Sequence, residues 1–280
     1  MKLISYSRND EALVGVTDGK RVARLNGRLD AAVTDIISLM EAWDTVGEAV
    51  RTMQTFDYPL EEVTVRPPIA RPGKVLGIGL NYADHVAEAG MEMPAQQIWF
   101  SKMVNTIAGP FDCIQRPRVS NKLDYEAELV VVIGKKCRHV SKDDAAKVIF
   151  GYCAGNDVSV RDWQMRTTQF LLGKTFDTHA PYGPWIVTAD ELDPADLFVR
   201  CYVNGERRQD SRTKHLIFNC ADQISYLSQV MTLEPGDLIF TGTPGGVGAA
   251  MKPPKWLVPG DKVRVEIEGI GYIENMVVSE

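Results

Sequence analysis

The sequence predicts an α+β fold that is mostly β, with a small α/β unit at its N-terminus. Three observations carry this. Short apolar strand-like runs recur along the chain, separated by turn residues, without the regular strand–helix alternation of a parallel α/β protein. Helical spacing of apolar residues is confined to a few segments. A proline-rich run, RPPIARPGK, divides a first unit (1–70 with the linker) from a larger one (71–280).

In chain order, LISYS and ALVGVTDGKRVARL read as strands, the second folded on itself at Asp18-Gly19, a pair suited to a hairpin turn. Residues 35–54 place Ile36, Ile37, Leu39, Met40 and Trp43 at helical spacing. Beyond the proline run, KVLGIGL is an apolar strand and DHVAEAG a helical piece. IWFSK, ELVVVIG, IFGYCAGND, WIVTA, FVRCYVNG and DLIFTGT follow as strands, and KVRVEIEGIGYIENMVV closes the chain as strand sequence. KDDAAKVI and HLIFNCADQISYLSQVM are the other helical stretches, and ERRQDSRTKH reads as a basic loop after the Asn204-Gly205 turn.

With 280 residues, 45% of them hydrophobic, and a net charge of −6, the composition is that of an ordinary globular protein. No basic stripe suggests nucleic acid. No segment approaches the roughly 20 apolar residues of a membrane helix. The opening MKLISYSRND lacks the apolar run of a signal peptide. The five cysteines, Cys113, Cys137, Cys153, Cys201 and Cys220, are scattered and form no CxxC, as expected of free thiols in a reducing cytoplasm.

The segment LDYEAELVVVIG raises a chemical question. Alternation along a strand places Asp124, Glu126, Glu128, Val130 and Val132 on one face. Two carboxylates about 7 Å apart at Cα, next to valines that want burial, repel and lose hydration together. A shared cation removes both penalties; a solvated charged face is the alternative that spacing alone leaves open. Asp157, just after the apolar run VIFGYCAG, is a third carboxylate. Three carboxylates without Cys or His suit a hard cation, Mg²⁺ or Mn²⁺ before Zn²⁺. Asp162 reads better as a cap or an arginine partner than as a ligand.

The ordered set ExE, NDVSVRD, GKTFDT and PGDLIFTGTPGGVG resembles the fumarylacetoacetate hydrolase family, from Arg71 to the C-terminus. Each motif is weak alone; the ordered set is specific. The resemblance implies a mixed β-roll catalytic domain behind a variable N-terminal domain. It also implies one divalent metal on Glu126, Glu128 and Asp157, Mg²⁺ with Mn²⁺ or Ca²⁺ as substitutes, and a homodimer.

NYADHVAEAG sets His85 and Glu88 on one helical face, where a carboxylate can orient an imidazole. Alone this reads as a solvated pair. The family's NYxxHxxE lid, matched at Asn81, Tyr82, His85 and Glu88, implies a general base over the substrate. Some family members have Arg where this chain has Leu80, so any role of that arginine is missing. GIGLNY fails the dinucleotide pattern at Tyr82, and GTPGGVG lacks the Lys-Ser or Lys-Thr of a P-loop. Its glycines suggest close backbone approach to a ligand, and the family's TGTPxGVG implies substrate contact through Thr243, then Thr241. Lys174 matches the family's active-site lysine, a counter-charge for a substrate carboxylate or enolate. Gln164 and Arg161 are candidates to line the site, and Lys102 a weaker match. Gln209, Thr213 and the cations Arg207, Arg208, Arg212 and Lys214 are expected either at the distal end of a substrate or on a solvated hairpin tip. His139, His179 and His215 carry no assigned role.

The resemblance implies a C–C bond hydrolase for an acylpyruvate-like 2,4-dioxo acid. Its 2-oxo acid end would sit on the metal, with oxygens held by Lys174 and Thr243, and His85 with Glu88 would activate water. The same site also supports decarboxylation or keto–enol isomerisation of 2-oxo acids such as oxaloacetate. A silent metal-binding scaffold is the third reading, and the intact set of His85, Glu88, Glu126, Glu128, Asp157 and Lys174 argues against it.

Overall fold

Every residue of the strand Ala127–Ile133 is buried, because a layer packs on each of its faces. The computed structural model of the chain describes residues 1–29, 32–53, 55–90 and 92–280. Leu129, Val131 and Ile133 point into one apolar core with Val199, Val265 and Ile273. Val130 and Val132 point into a second core with Phe240, Leu3, Leu39 and Val50. A strand buried on both faces reads as a continuous apolar run, as this one does after Glu128.

The large sheet runs from Tyr58–Pro59 through Arg21–Arg24, Glu11–Thr17, Lys2–Arg8, Ala180–Thr188, Ile149–Asn156, Ala127–Ile133, Leu238–Phe240 and Val75–Gly79 to Ile98–Lys102. Most of its pairings are antiparallel, but Leu238–Phe240 lies parallel to Val75–Gly79. A smaller sheet orders Glu206–Arg212, Phe198–Val203, Lys262–Ile267, Gly271–Ser279 and Ile114–Arg116. The architecture is thus mostly β with mixed pairing, as expected. The N-terminal strand enters the large sheet directly, with Lys2 opposite Val187 and Leu3 opposite Ile186. The proline run is pinned to the same sheet: the Tyr182 hydroxyl accepts from the Ile69 N–H at 2.6 Å and donates to the Ile69 carbonyl at 2.7 Å.

Several elements differ from expectation. The helical stretch 35–54 forms two helices, Ile36–Glu41 and Trp43–Arg51, joined at Ala42; its expected end, Gln54, lies outside the described residues. KDDAAKVI winds as a 3₁₀ segment, Lys142–Val148, started by the Ser141 side chain accepting from Asp144 N–H. The helix expected from His215 begins at Cys220, where Asn219 and Asp222 form a reciprocal cap. ERRQDSRTKH is not a loop: Glu206–Arg212 is a strand paired with Phe198–Val203. The expected single strand over 123–134 is split. Leu123–Asp124 pairs with Ser159–Val160, and Ala127–Ile133 pairs with Ile149–Asn156. No helix of the described residues is long and apolar enough to cross a membrane.

Replacing Tyr182 by Phe leaves both polar groups of buried Ile69 unpaired. Chemical denaturation should show a loss of about 1–3 kcal/mol, with the slope of the transition unchanged.

Candidate active site

Register builds the carboxylate cluster. Ala127 stands opposite Asn156 and Glu128 opposite Gly155. Asn156 Oδ1 accepts from the Glu126 N–H at 2.9 Å, and the Asp157 N–H donates to the Glu126 carbonyl at 2.9 Å. These bonds carry Asp157 off the end of its strand and beside Glu126. One carboxylate oxygen each from Glu126, Glu128 and Asp157 lie within 4.8 Å of one another, and all three residues are buried.

Cations from three further elements close on the cluster. Lys174, ending the turn Leu171–Lys174, donates to Glu126 Oε2 at 2.8 Å and to Asp157 Oδ2 at 2.6 Å. Lys102, ending the strand Ile98–Lys102, donates to Asp157 Oδ1 at 2.5 Å and to the Val158 carbonyl at 3.1 Å. Arg161, opening the short helix Arg161–Gln164, donates through Nη1 to Glu126 Oε1 at 2.6 Å and to Gln164 Oε1 at 3.0 Å, and through Nε to Asp124 Oδ2 at 2.8 Å. Its Nη2 is buried without a partner among the described residues.

These neighbours set the charge states. Burial works against ionising Glu126, but Lys174 and Arg161 outweigh it and hold the carboxyl down at about 2. Glu128 goes the other way. Burial first, then the charges of Asp157 and Glu126, push its carboxyl well above the usual range, against Lys174 and the Gly242 N–H that donates to its Oε2 at 2.7 Å. For Lys174, burial disfavours the ammonium, yet Asp157 and Glu126 raise it above its ordinary value.

A cavity of about 450 Å³ opens beside the cluster. Glu126, Arg161, Gln164, Lys174, Thr243, His85 and Glu88 line it, together with apolar Leu80, Phe100 and Phe170. His85 and Glu88 come from the helix Ala83–Ala89. The His85 Nδ1 is 3.8 Å from Glu88 Oε2. That gap reflects a competitor: both Glu88 oxygens accept from the Gly246 N–H, at 3.1 and 2.9 Å. Burial lowers the pKa of His85, Arg161 and Lys174 push the same way, and Glu126 and Glu88 oppose them. The imidazole is therefore neutral near pH 7, as a base requires.

The remaining sequence candidates fall in different places. Thr243 lines the cavity while donating to the Ala127 carbonyl at 3.0 Å and accepting from Gln209 Nε2 at 2.8 Å. Thr241 is fully buried and spends its hydroxyl on the Leu129 carbonyl at 2.9 Å. Tyr82 is also fully buried, its hydroxyl without a partner, and it does not line the cavity. The glycines of GTPGGVG approach the chain's own backbone: Gly246 has φ +101°, and a Cβ there would sit 2.0 Å from the Arg208 carbonyl oxygen. The cations of 207–214 are tied to acidic neighbours, Arg207 to Asp210 and Arg212 and Lys214 to Asp196. Asp162 accepts from the Ser120 hydroxyl at 2.5 Å.

Two contributors had weak or no sequence signals. Lys102 sits at a strand end and reads as structural until Asp157 is seen against it. Asp124 shares the strand face of the two glutamates, and that parity is the signal that could have drawn attention to it.

Residues 74–278 match the family model described as fumarylacetoacetate (FAA) hydrolase C-terminal. A rat protein named oxaloacetate tautomerase Fahd2a, mitochondrial, is 42% identical over 287 residues, covering 99% of this chain and 92% of the relative. A fumarylacetoacetate hydrolase structure from Exiguobacterium antarcticum superposes with TM-score 0.88 at 35% identity, over 100% of both chains. A maleylpyruvate hydrolase from Sphingobium sp. SYK-6, in complex with manganese(II) and pyruvate, superposes with TM-score 0.84 at 31% identity, over 100% of this chain and 99% of the other. A mostly β fold, buried clustered carboxylates and a family match over most of the chain converge on one statement: this protein is an enzyme of the fumarylacetoacetate hydrolase family.

Proposed function

We propose that this enzyme is a divalent-cation-dependent tautomerase that interconverts the enol and keto forms of a short 2-oxo dicarboxylate of the oxaloacetate type. The observation that carries this is the Arg161 guanidinium: Arg161 lines the cavity, and its Nη2 is buried without a partner among the described residues. A buried donor left unpaired is costly, and a substrate carboxylate is its strongest acceptor. The name of the rat relative points the same way.

The residues fit a cation. Glu126, Glu128 and Asp157 supply hard oxygen donors within 4.8 Å of one another, suited to Mg²⁺, Mn²⁺ or Ca²⁺. Among the described residues no cationic side chain bonds Glu128, whose ionisation burial and the charges of Asp157 and Glu126 disfavour. When bound, the cation supplies a Lewis acid and an anchor for the 2-oxo acid end.

The side chains supply the proton chemistry. Neutral His85 takes a proton from the carbon beside the 2-oxo group. The C–H electron pair forms the C=C bond, and the carbonyl electrons move to oxygen. The Lys174 ammonium faces that growing oxygen charge, and the Arg161 guanidinium supplies the counter-charge for the far carboxylate. Return of that proton from His85 to the oxygen completes the enol and leaves the imidazole neutral, and the reverse sequence gives the ketone. A second reading, hydrolysis of an acylpyruvate, is favoured by the pairing of His85 with Glu88, which suits proton removal from water, and by the hydrolase neighbour.

The test is to follow the enol absorbance of oxaloacetate with Mg²⁺ and with chelator, and to assay pyruvate separately. Tautomerisation should accelerate with Mg²⁺ without matching pyruvate release, and His85→Ala should lose about 10²–10⁴-fold. Release of pyruvate and an acid from an acylpyruvate, with oxaloacetate unaffected, would establish the second reading instead. Because His85 is held below its ordinary value, the acid limb of kcat/KM should lie below the usual imidazole range.

Glu128→Gln separates the cation from the fold. Glu128 titrates higher in the folded state than its ordinary value of 4.5. The unfolded chain therefore binds fewer protons above that pH, and stability falls as pH rises. In chelator, Glu128→Gln should be at least as stable as the parent at pH 7 and lose less stability between pH 5 and pH 8. Mg²⁺ should raise the parent's Tm and leave the variant's unchanged.

A further inference from the structure

Asp124 is fully buried, yet its carboxylate lines neither the cation cluster nor the cavity. All its hydrogen-bonding capacity is used on groups that build the cavity. Oδ1 accepts from the Gly248 N–H at 2.8 Å and the Tyr125 N–H at 3.0 Å. Oδ2 accepts from the Ala249 N–H at 2.9 Å and from Arg161 Nε at 2.8 Å. One carboxylate thus joins the arginine to the turn Gly248–Ala250, whose Ala249 and Ala250 form the cavity wall facing it. The turn is shaped to allow this: a Cβ on Gly248 would lie 2.7 Å from Asp124 Oδ1 and 2.1 Å from the Lys255 carbonyl oxygen.

Two fixed points orient the guanidinium. Asp124 holds Nε, while Glu126 and Gln164 hold Nη1. With those directions taken, the planar fork leaves only Nη2 free. Glu126 alone fixes one nitrogen and leaves the plane of the group free to turn about it. Without Asp124, the guanidinium that lines the cavity loses one of its two fixed points and with it a defined orientation.

We infer that Asp124 is a positioning residue for substrate selection: through Arg161 Nε and the Gly248–Ala249 amides it sets the direction of Arg161 Nη2 and the wall opposite, and so selects 2-oxo acids with a second carboxylate. This rests on the reading of Arg161 as the grip for that carboxylate.

Asp124→Asn tests it, because an amide offers one acceptor oxygen where the carboxylate uses two, and turns an NH₂ towards donors. Binding of oxaloacetate and of pyruvate is measured by calorimetry on the Mg²⁺-loaded protein, beside KM and kcat for oxaloacetate. In Asp124→Asn, affinity for oxaloacetate should fall about 10-fold or more, with KM rising to match and kcat changing less, while pyruvate and Mg²⁺ affinities stay within about 2-fold. Arg161→Lys should lose the same preference, and the double variant should be no worse than Arg161→Lys alone, as for residues acting through one another. Equal losses for oxaloacetate and pyruvate would show a merely structural role and overturn the inference. If Arg161→Lys loses the preference and Asp124→Asn keeps it, this inference falls and the proposed function stands. If Arg161→Lys keeps it, both fall. Should Asp124→Asn fail to fold, Gly248→Ala perturbs the same contact from the turn. A parent-like preference there overturns the inference; a selective loss supports it.

Discussion

The structure depends on keeping four buried carboxylates, Asp124, Glu126, Glu128 and Asp157, in one small volume. Buried charge is tolerated only when it is paired and hydrogen-bonded. Lys102, Lys174 and Arg161 supply the pairing, each from a different element, so the site is also a knot joining those elements. Breaking such a pair by removing one partner typically costs about 3–5 kcal/mol, since it strands the other charge. Glu128 is the member without a cationic partner, and so the place where the fold is least satisfied by its own side chains. A perturbed carboxyl of that kind beside Glu126, which lines the cavity, marks where function concentrates.

The same constraint explains the arrangement around the cavity. Backbone amides, not further charges, complete the polar wall: Gly242 on Glu128, Gly246 on Glu88, and Gly248 and Ala249 on Asp124. All four come from one loop after Leu238–Phe240. That strand is parallel to Val75–Gly79, and the latter leads through Leu80 into the helix bearing His85. The loop that fixes the acids therefore also engages Glu88, whose Oε2 stands 3.8 Å from His85 Nδ1, a nitrogen without a hydrogen-bond partner among the described residues.

Much of this was legible in the sequence. Parity along LDYEAELVVVIG placed the acids on one face that turns apolar at Val130, and the structure puts Val130 in a core. The apolar runs marked most strands. What failed did so for physical reasons. The strand 123–134 is split because Asp124 is drawn to a different partner strand and a different set of donors. ERRQDSRTKH reads as a basic loop because its charges hide its alternation; Gln209 and Ser211 are the buried positions, flanked by Arg208, Asp210 and Arg212. Thr241 and Thr243 are two apart in one motif and both donate to a carbonyl of the same strand, of Leu129 and Ala127, but only Thr243 also lines the cavity.

By itself, the sequence determined what local pattern can carry: a mostly β chain, the carboxylates that share a strand face, and an ordered motif set specific to one family. Only the tertiary structure decided which groups meet. Residues from Leu80 to Ala250 reach one site because strand pairing and crossovers bring distant segments together, and no local periodicity encodes such pairings. Hydrogen-bond saturation then decides roles. Arg161 has a nitrogen to spare and Asp124 has no oxygen to spare, a difference that exists only once every partner is in place.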